Sequence, residues 1–307
     1  MKQPRVAIIT VNYHKEEKTL RLIESIKKLN YTNYFITIVD NDSQPESFGN
    51  LGEDINVIRN PENSGWAGGF RRAVQLILTN EKPDYFLLLN NDQVVGKDML
   101  KELVKTAEIE LNIGFVAPAI YDMNHPNQIQ TCGGYMNFWT GIAVESKRPK
   151  DKTVQEVDGY KEYVDDCALL IRREVVERAG LHDPTYFLYF EDPDWNIAAR
   201  KAGFKIINNQ NAKVYHEIYG SSEGKKSPTV VYHLARNRIL FMRKHKLLRF
   251  PIFLLINTFI TFPIHFTKYL FKKHFDLLIP LTKGYVVGTI KSILHPKFSN
   301  PKIYDIQ

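Results

Sequence analysis

Apolar residues recur in two alternating patterns along the first part of the chain. Runs that are apolar at nearly every position are typical of strands buried on both faces, and they cover residues 5–12, 35–40, 55–58 and 85–89. Apolar residues spaced three and four apart predict helices around residues 20–29 and 69–79. This alternation of strands and helices predicts an α/β fold with a mostly parallel central sheet.

The pattern is less regular in the middle of the chain. Residues 114–170 predict mixed strands and loops, with a turn at Gly133-Gly134 and a polar insertion near residues 147–159. Regular elements return afterwards, with helices predicted at 174–180 and 193–201 and strands at 204–207 and 212–215. These elements complete the body of the predicted domain.

Polar and acidic residues stand where three of the predicted strands end. Asp40 and Asn41 follow the second strand, Asn90-Asn91-Asp92 follows the fourth, and His216 follows the last. The acidic run Glu191-Asp192-Pro193-Asp194 opens a predicted helix. Because parallel sheets bind ligands at the carboxyl ends of their strands, Asp40 and Asp92 indicate a site there. Taken singly, each cluster is as typical of a turn or a helix cap as of a site.

The last part of the chain is strongly apolar. Residues 250–266 carry no charge, and a polar stripe recurs through and beyond them at helical spacing, at Asn257, Thr261, His265, Lys268 and Lys272. A helix with one polar stripe is typical of a segment that lies in the membrane interface. The 17 residues, interrupted by two prolines, fall short of the roughly 20 that a spanning helix needs. The alternative is that these helices pack on the body or join two chains in a homodimer.

Charge is distributed unevenly between the two parts of the chain. Residues 225–307 carry 15 basic and two acidic side chains, a net charge of +13, whereas residues 1–224 carry a net charge of −6. Such asymmetry favours an anionic partner for the basic end. Because its charges are interleaved with long apolar runs rather than with stacking aromatic residues on a polar face, we expect a membrane surface and no nucleic acid.

Length and composition set the remaining expectations. A chain of 307 residues with 44% hydrophobic residues fits one large domain with an appendage, and we place the division between residues 1–245 and 246–307. Two cysteines, Cys132 and Cys167, are too few for a disulfide scaffold. Together with an N-terminus unlike a signal peptide, they predict a cytoplasmic protein that is peripheral at the inner face of the membrane.

Several of these motifs occur together in one known family. The chain resembles the family 2 glycosyltransferases, particularly their bacterial rhamnosyltransferase-like branch. The resemblance covers about residues 4–245, and the stretches that carry it keep the family's order and spacing, at residues 6–13, 38–43, 60–69, 87–92, 187–195, 214–216 and 236–238. It implies the GT-A fold, with a donor half at about 1–95 and an acceptor half at about 96–245.

The resemblance also implies an activity. These enzymes move a sugar from a nucleotide diphosphate donor to an acceptor hydroxyl, with inversion at the anomeric carbon. We expect a glycan or a lipid-linked acceptor in the synthesis of a cell-surface polysaccharide. The donor is expected to be dTDP-rhamnose or a UDP-sugar.

Two acidic positions take the central roles that the resemblance implies. Asp92 matches the family's metal-binding motif, in which Asn90 replaces the usual first aspartate, and His216 matches a further metal or phosphate contact. Mg²⁺ or Mn²⁺ is expected, since hard cations prefer oxygen ligands and stabilise a departing diphosphate. Asp192 matches the base that takes the acceptor's proton, and Glu191 is expected to orient the loop or contact the acceptor.

The donor site follows from the same comparison. Asp40 matches the residue that reads the pyrimidine base, and glycines at two matched positions let the backbone approach the donor. Arg71 or Arg72 is expected to reach the diphosphate, the alternative being that the two form a solvated basic helix face, and Arg236 is expected to reach it from a flexible lid. The full predicted donor set is Thr10, Val11, Asn12, Asp40, Asn41, Gly65, Gly68, Arg71, Asn90, Asn91 and Arg236.

Two other functions remain open at this point. A sugar nucleotidyltransferase also uses an α/β sheet with paired acids, but it needs a basic glycine-rich loop after the first strand. Asn12-Tyr13-His14-Lys15-Glu16 stands there instead. A non-enzymatic nucleic-acid-binding protein is suggested by the basic isoelectric point, about 9.1, and salt-dependent binding by the basic end would favour it.

Overall fold

The computed structural model describes residues 3–41, 48–49, 51–52, 54–145, 163–217, 227–246, 248–294, 298 and 300. The predicted polar insertion near residues 147–159 lies outside the described residues. The strands, numbered β1 to β11 in chain order, are Val6–Asn12, Tyr34–Asp40, Ile55–Arg59, Tyr85–Asn90, Gln93–Val95, Ile113–Asp122, Ile129–Thr131, Gly134–Asn137, Ile142–Glu145, Ala168–Arg172 and Lys205–His216.

Helices cover both faces of the sheet and form the C-terminal part of the chain. Numbered α1 to α6, the first helices are Glu16–Ile26, Gly65–Asn80, Met99–Ala107, Arg173–Ala179, Glu191–Lys201 and Pro228–His245. Helix α7 covers Phe250–Phe271, and α8 covers Leu278–Leu294 after a short 3₁₀ turn at Phe275–Leu277.

The first four large strands form the parallel half of the sheet that the sequence predicts. They lie in the order β3-β2-β1-β4, and every pairing among them is parallel. Successive side chains of β1 point to opposite faces, so Ile8 contacts Leu22 and its neighbours on one side while Ile9 lies with Phe70 on the other. Because helices cover both faces, the strand is apolar throughout.

The second half of the sheet changes direction at β10. This strand pairs antiparallel with β4 and with β6, and the order continues through β6, β11 and β5. The start of β10 therefore lies at the same sheet edge as the end of β4, with Ala168 opposite Leu89. Residues just before β10 are thereby brought to the edge where Asp92 lies.

Helices α7 and α8 pack, through α6, against the predicted catalytic part of the chain, residues 1–245. In α8, Gly284 and Gly288 lie against the backbone of α6, and a side-chain carbon at Gly288 would come within 2.8 Å of the Arg236 carbonyl oxygen. Small residues four apart allow this close approach between helices. Helix α6 ends at His245 and α7 begins at Phe250, on either side of the predicted domain boundary; the division into two domains stays a prediction.

The apolar helix extends beyond its uncharged core, as the predicted polar stripe to Lys272 implies. Helix α7 runs for 22 residues without interruption, because Pro251 lies in its first turn and a π-helical turn at Asn257–Thr261 precedes Pro263. This segment and Phe275–Leu294 are each long and apolar enough to cross a membrane, judged by length and composition alone. Length therefore no longer excludes a spanning helix, and the interfacial arrangement stays a prediction.

The polar stripe of α7 has two parts. Asn257, Thr261 and His265 line a cavity shared with the catalytic part, whereas Lys268 and Lys272 are exposed. The other side of α7 and α8 carries exposed apolar side chains, among them Ile252, Leu255, Phe259, Ile264, Phe271, Ile279 and Ile293. The helix is thus amphipathic as predicted, and part of its polar side faces the protein.

A buried ionic cluster joins α5 to α6. Asp194 is fully buried, and its carboxylate accepts hydrogen bonds from Lys244 Nζ at 2.8 Å and His245 Nε2 at 2.7 Å. Burial alone would raise the pKa of Asp194, but His245 and Lys244 outweigh it and lower that pKa. Lys244 also reaches Asp183 at 2.8 Å, so one ammonium group connects the loop before α5, α5 itself and α6.

We expect Asp194→Ala to destabilise the fold by about 3 kcal/mol, because it leaves buried cationic groups without their counter-ion. Urea denaturation of the purified chain measures the change in the free energy of unfolding. Glu24→Ala, which removes an exposed acid from α1, is the matched control and should change stability by less than about 0.5 kcal/mol. Equal effects of the two substitutions would contradict the prediction.

Candidate active site

A cavity of about 770 Å³ lies at the carboxyl edge of the sheet, where the sequence predicts a site. Asp92 and Asp192 both lie on its wall, although 100 positions separate them in the sequence. The predicted site residues that line this cavity are Val11, Asn41, Gly65, Asn90, Asn91, Asp92, Glu191, Asp192 and His216. The fold therefore brings the two predicted carboxylates to one enclosed space.

Strand pairing places Asp92 next to His216. Asp92 lies between β4 and β5, and β5 pairs with β11 so that Gln93 lies opposite His216. As a result His216 Nε2 is 3.1 Å from Asp92 Oδ1. The other ring nitrogen, Nδ1, lies 3.0 Å from Gln130 Oε1. The ring of His216 is thus held between Gln130 and Asp92, with Nε2 on the side of Asp92.

Asp92 and His216 fit a divalent cation that also binds a ligand. Asp92 Oδ1 is buried and has no hydrogen-bond partner among the described residues, and a carboxylate with an imidazole is a donor set that Mn²⁺ and Mg²⁺ accept. Within the described ranges, no group of three or more His, Cys, Asp or Glu side chains is placed to hold a metal ion. The remaining ligands would have to be phosphate oxygens and water, as is usual for Mg²⁺.

Asp192 is positioned by the strained start of α5. Tyr189 and Phe190, directly before this helix, both adopt left-handed backbone with φ of 65° and 75°, a conformation that is costly for bulky residues. Asn196 fixes the next turn, since its amide exchanges hydrogen bonds with the Val164 backbone at 2.9 and 3.1 Å. The helix start and the segment that carries Asp165 are therefore held together.

Asp192 shares a tyrosine hydroxyl with a second carboxylate. The Tyr163 hydroxyl lies 2.6 Å from Asp192 Oδ2 and 2.5 Å from Asp165 Oδ1. A hydroxyl has one proton to donate, so two such short contacts require a further proton on one of the carboxyl groups. Burial, together with the charges of Asp166, Glu191 and Asp165, raises the pKa of Asp192 well above its usual range. Burial likewise raises the pKa of Asp165.

Glu191 lies deeper than Asp192. It is 6% exposed, and burial followed by the charge of Asp166 raises its pKa to about 8. Asp166 is itself held by the buried His182, whose Nε2 is 2.9 Å from Asp166 Oδ2. Glu191 therefore lies in the cavity wall as a group that keeps its proton at neutral pH.

We expect Glu191→Gln to stabilise the fold at pH 7 by on the order of 3 kcal/mol. Below pH 4.5 Glu191 is protonated in both the folded and the unfolded chain, so the free energies of unfolding of wild type and Glu191→Gln differ little. Between pH 4.5 and about 8 the unfolded chain releases a proton from Glu191 that the folded chain retains, so wild-type stability falls more steeply over this window than the variant's, which lacks this contribution. Thermal unfolding in EDTA-containing buffer from pH 4 to 8 measures the effect.

Glu24→Gln serves as the exposed control for this series and should track wild type at every pH. A Glu191→Gln variant that is no more stable than wild type at pH 7 would show that Glu191 is ionised in the folded chain.

Part of the predicted donor set lies beneath the cavity wall. Asn12 and Asp40 have no exposed surface, and Asn12 Nδ2 donates to Asp40 Oδ1 at 3.3 Å. Thr10 is equally buried. In this conformation Asp40 has no surface that a pyrimidine base can contact. Its predicted role in reading the base stays a prediction.

The two predicted glycines of the glycine-rich segment, Gly65 and Gly68, line different cavities. Gly65 has φ of 72°, and a side chain there would come within 2.9 Å of the Phe187 carbonyl oxygen, so the position requires glycine. Asn41 Nδ2 donates to the Gly65 carbonyl oxygen at 3.2 Å, which fixes this turn at the cavity. Gly68 and Arg71 instead line a separate pocket beside Asn60.

Arg236 is not on a flexible lid. It lies on α6, is 7% exposed, and donates to the Thr185 carbonyl oxygen at 3.1 Å. The adjacent Asn237 donates to the carbonyl oxygens of Leu188 and Tyr189 at 2.9 Å. Arg236 and Asn237 therefore hold the loop that leads to Asp192. Arg236 is not among the residues that line the cavity containing Asp92.

Sequence reasoning missed the part of the site contributed by the antiparallel strand. Tyr163, Asp165 and Asp166 precede β10, and Gln130 lies on β7. Two consecutive aspartates before a buried apolar run are a visible signal. Their place at the site follows only once β10 is known to run opposite to β4, because that direction brings its start, rather than its end, to the carboxyl edge.

The fold and this site together define a GT-A type protein. The family model for glycosyl transferase family 2 matches residues 6–180, more than half of the chain. The chain therefore belongs to glycosyltransferase family 2, which confirms the resemblance drawn from the motifs.

Two known proteins are similar over most of their length. The low-salt glycan biosynthesis hexosyltransferase Agl10 of Haloferax volcanii is 25% identical over 240 residues, which are 76% of this chain and 74% of that protein. The dTDP-rhamnosyl transferase RfbF of Shigella flexneri is 22% identical over 269 residues, 84% of this chain and 86% of that protein.

Solved structures show the same fold. A crystal structure of GalNAc-T7 with UDP, GalNAc and Mn²⁺ superposes with a TM-score of 0.60 at 16% identity, covering 76% of this chain and 47% of that one. The mannosyltransferase PcManGT of Pyrobaculum calidifontis, in complex with GDP-Man and Mn²⁺, gives a TM-score of 0.53 at 13% identity, covering 96% and 89%. These likenesses establish the GT-A fold.

Proposed function

We propose that this glycosyltransferase is inverting and metal-dependent, and that it moves a sugar from a nucleotide diphosphate to an acceptor hydroxyl. The observation that carries the proposal is the placement of Asp92 and Asp192 on the wall of one cavity. Asp92 can bind a cation that neutralises the departing diphosphate. Asp192 can accept the proton of the incoming alcohol. Similar folds that hold UDP or GDP-Man with Mn²⁺ support this assignment.

On the donor side, Asp92 and His216 would hold the cation and thereby the diphosphate. When bound there, a divalent cation would neutralise negative charge that develops on the leaving nucleotide. Gln130 keeps the His216 ring oriented through its contact with Nδ1. The narrow turn at Gly65, fixed by Asn41, lets the backbone lie close to the donor.

On the acceptor side, Asp192 takes the proton. The acceptor hydroxyl oxygen forms a bond to the anomeric carbon while the bond from that carbon to the diphosphate oxygen breaks. The electron pair leaves with the nucleoside diphosphate, and the hydroxyl proton passes to the Asp192 carboxylate. Its raised pKa makes the ionised form a stronger base, and the Tyr163 hydroxyl holds the carboxylate in place.

We infer the sugar from the similar proteins and the cellular location from the apolar C-terminal helices. We favour dTDP-rhamnose, with UDP-sugars as the alternative, and an acceptor in cell-surface glycan synthesis; the similarity to a dTDP-rhamnosyl transferase and to a glycan-synthesis hexosyltransferase supports this choice. The catalytic part would act at the cytoplasmic face of a membrane. The exposed apolar side chains of α7 and α8 support membrane attachment.

We expect Asp192→Asn to lower kcat by at least 100-fold, because the amide cannot accept the proton, while the Kd of the donor changes less than about threefold. The donor is first chosen by thermal shift with a panel of nucleotide-sugars and Mn²⁺, since a bound donor raises Tm. Transfer to the acceptor and donor binding are then measured on the same preparation.

Glu62→Gln, which removes an exposed carboxylate outside this cavity, is the control and should retain wild-type turnover. Near-normal turnover by Asp192→Asn would overturn the assignment of the base.

A further inference from the structure

A second cavity, of about 490 Å³, lies between the catalytic part and the C-terminal helices. Asp165, Tyr189 and Asp192 line both this cavity and the one that holds Asp92. Asp192 therefore lies where the two cavities meet. A group that approaches Asp192 from the second cavity reaches it from a different side than a donor bound near Asp92.

The walls of the second cavity are mainly apolar and aromatic. Helix α7 contributes Phe262 and Tyr269, and α8 contributes Leu281 and Tyr285. The catalytic part adds Met136, which lies on β8. Small-molecule sites of this size usually combine such walls with a few polar groups that fix orientation. A bare glycan does not suit these walls, because its many hydroxyl groups would lose their hydrogen bonds to water.

One of the polar groups in its wall is a partly buried cation. Arg238 of α6 lines the cavity, donates to Asn257 Oδ1 at 2.8 Å, and lies over the Phe253 ring. Its Nε is buried without a hydrogen-bond partner in the described part of the chain. Burial lowers the pKa of Arg238 to about 10, so the side chain stays cationic. A desolvated guanidinium favours a phosphate oxygen as partner.

The surroundings of the cavity indicate where the rest of a ligand would lie. The helices that form its apolar walls expose Phe259 and Ile279 on their outer sides, 73% and 77% exposed. Apolar surface of this extent marks a membrane contact. The π-helical turn at Asn257–Thr261 faces the cavity, and such turns occur often at functional sites.

We propose that the second cavity binds a lipid-phosphate-linked sugar as the acceptor, with its phosphate at Arg238 and its chain along the apolar walls of α7 and α8. The reacting hydroxyl then reaches Asp192 from the side opposite the donor. This inference rests on the proposed function and specifies its acceptor. It also gives the C-terminal helices a role in the reaction besides attachment.

Binding of farnesyl phosphate and of farnesol to the full chain tests the inference. Both are measured in neutral detergent micelles, as competitors of a photo-crosslinking farnesyl phosphate analogue. We expect farnesyl phosphate to bind at least tenfold more tightly than farnesol. Arg238→Gln should remove this preference and Arg238→Lys should retain part of it, whereas Lys272→Gln, which removes an exposed charge from the end of α7 outside the cavity, should not change it.

Three results would overturn the inference. They are equal binding of farnesyl phosphate and farnesol, equal losses in Arg238→Gln and Lys272→Gln, and displacement of the probe by phosphatidylglycerol as effective as by farnesyl phosphate. The last result would assign the cavity to a bilayer lipid.

Binding of dTDP and UDP with Mn²⁺ is measured separately on each variant. It reports whether the variant is folded. A wild-type chain that binds farnesyl phosphate but neither nucleotide would contradict the proposed function rather than the lipid site.

Discussion

Several acidic side chains lie close together and largely out of water at the carboxyl edge of the sheet, and the neighbouring elements are arranged to hold them there. Burial and mutual repulsion raise the pKa values of Asp165, Glu191 and Asp192. Tyr163 bridges Asp165 and Asp192, which requires an additional proton on one carboxyl group. Such a cluster is unstable unless neighbouring elements hold it, and the bonds from Asn196 to Val164 and from Lys244 to Asp194 do so. The free-energy cost of burying these carboxyl groups together is consistent with a site whose negative charge is neutralised only when ligands are bound.

The C-terminal helices are part of this arrangement. Helix α6 holds the loop before Asp192 through Asn237 and anchors α5 through Lys244. Gly288 in turn brings α8 against α6. A disturbance of α7 and α8 can therefore reach Asp192 through contiguous packing. The contacts of one helix, α6, thus connect the apolar C-terminal helices to the candidate site.

The parallel half of the fold could be predicted from the sequence because its strands are buried on both faces and so are apolar throughout. The convergence of Asp92, Asp192 and His216 was also predictable, from motifs carried by the family resemblance. The direction of β10 was not, since an apolar run has the same appearance in either direction, and Asp165 and Asp166 were missed for that reason. The π-helical turn that precedes Pro263 leaves no local signal in the sequence. The place of Arg236 on a helix rather than on a flexible lid could not be predicted, because a buried arginine that holds carbonyl oxygens has the same sequence appearance as one that binds phosphate.

We propose that Asp92 holds the diphosphate through a cation while Asp192 acts on the acceptor alone. The decisive test is calorimetric binding of dTDP and UDP to wild type, Asp92→Asn and Asp192→Asn, each with and without Mn²⁺. We expect Mn²⁺ to tighten nucleotide binding at least tenfold in wild type and in Asp192→Asn, and to have little effect in Asp92→Asn. Binding that is independent of Mn²⁺ in all three proteins, or a loss of the Mn²⁺ effect in Asp192→Asn alone, would contradict it.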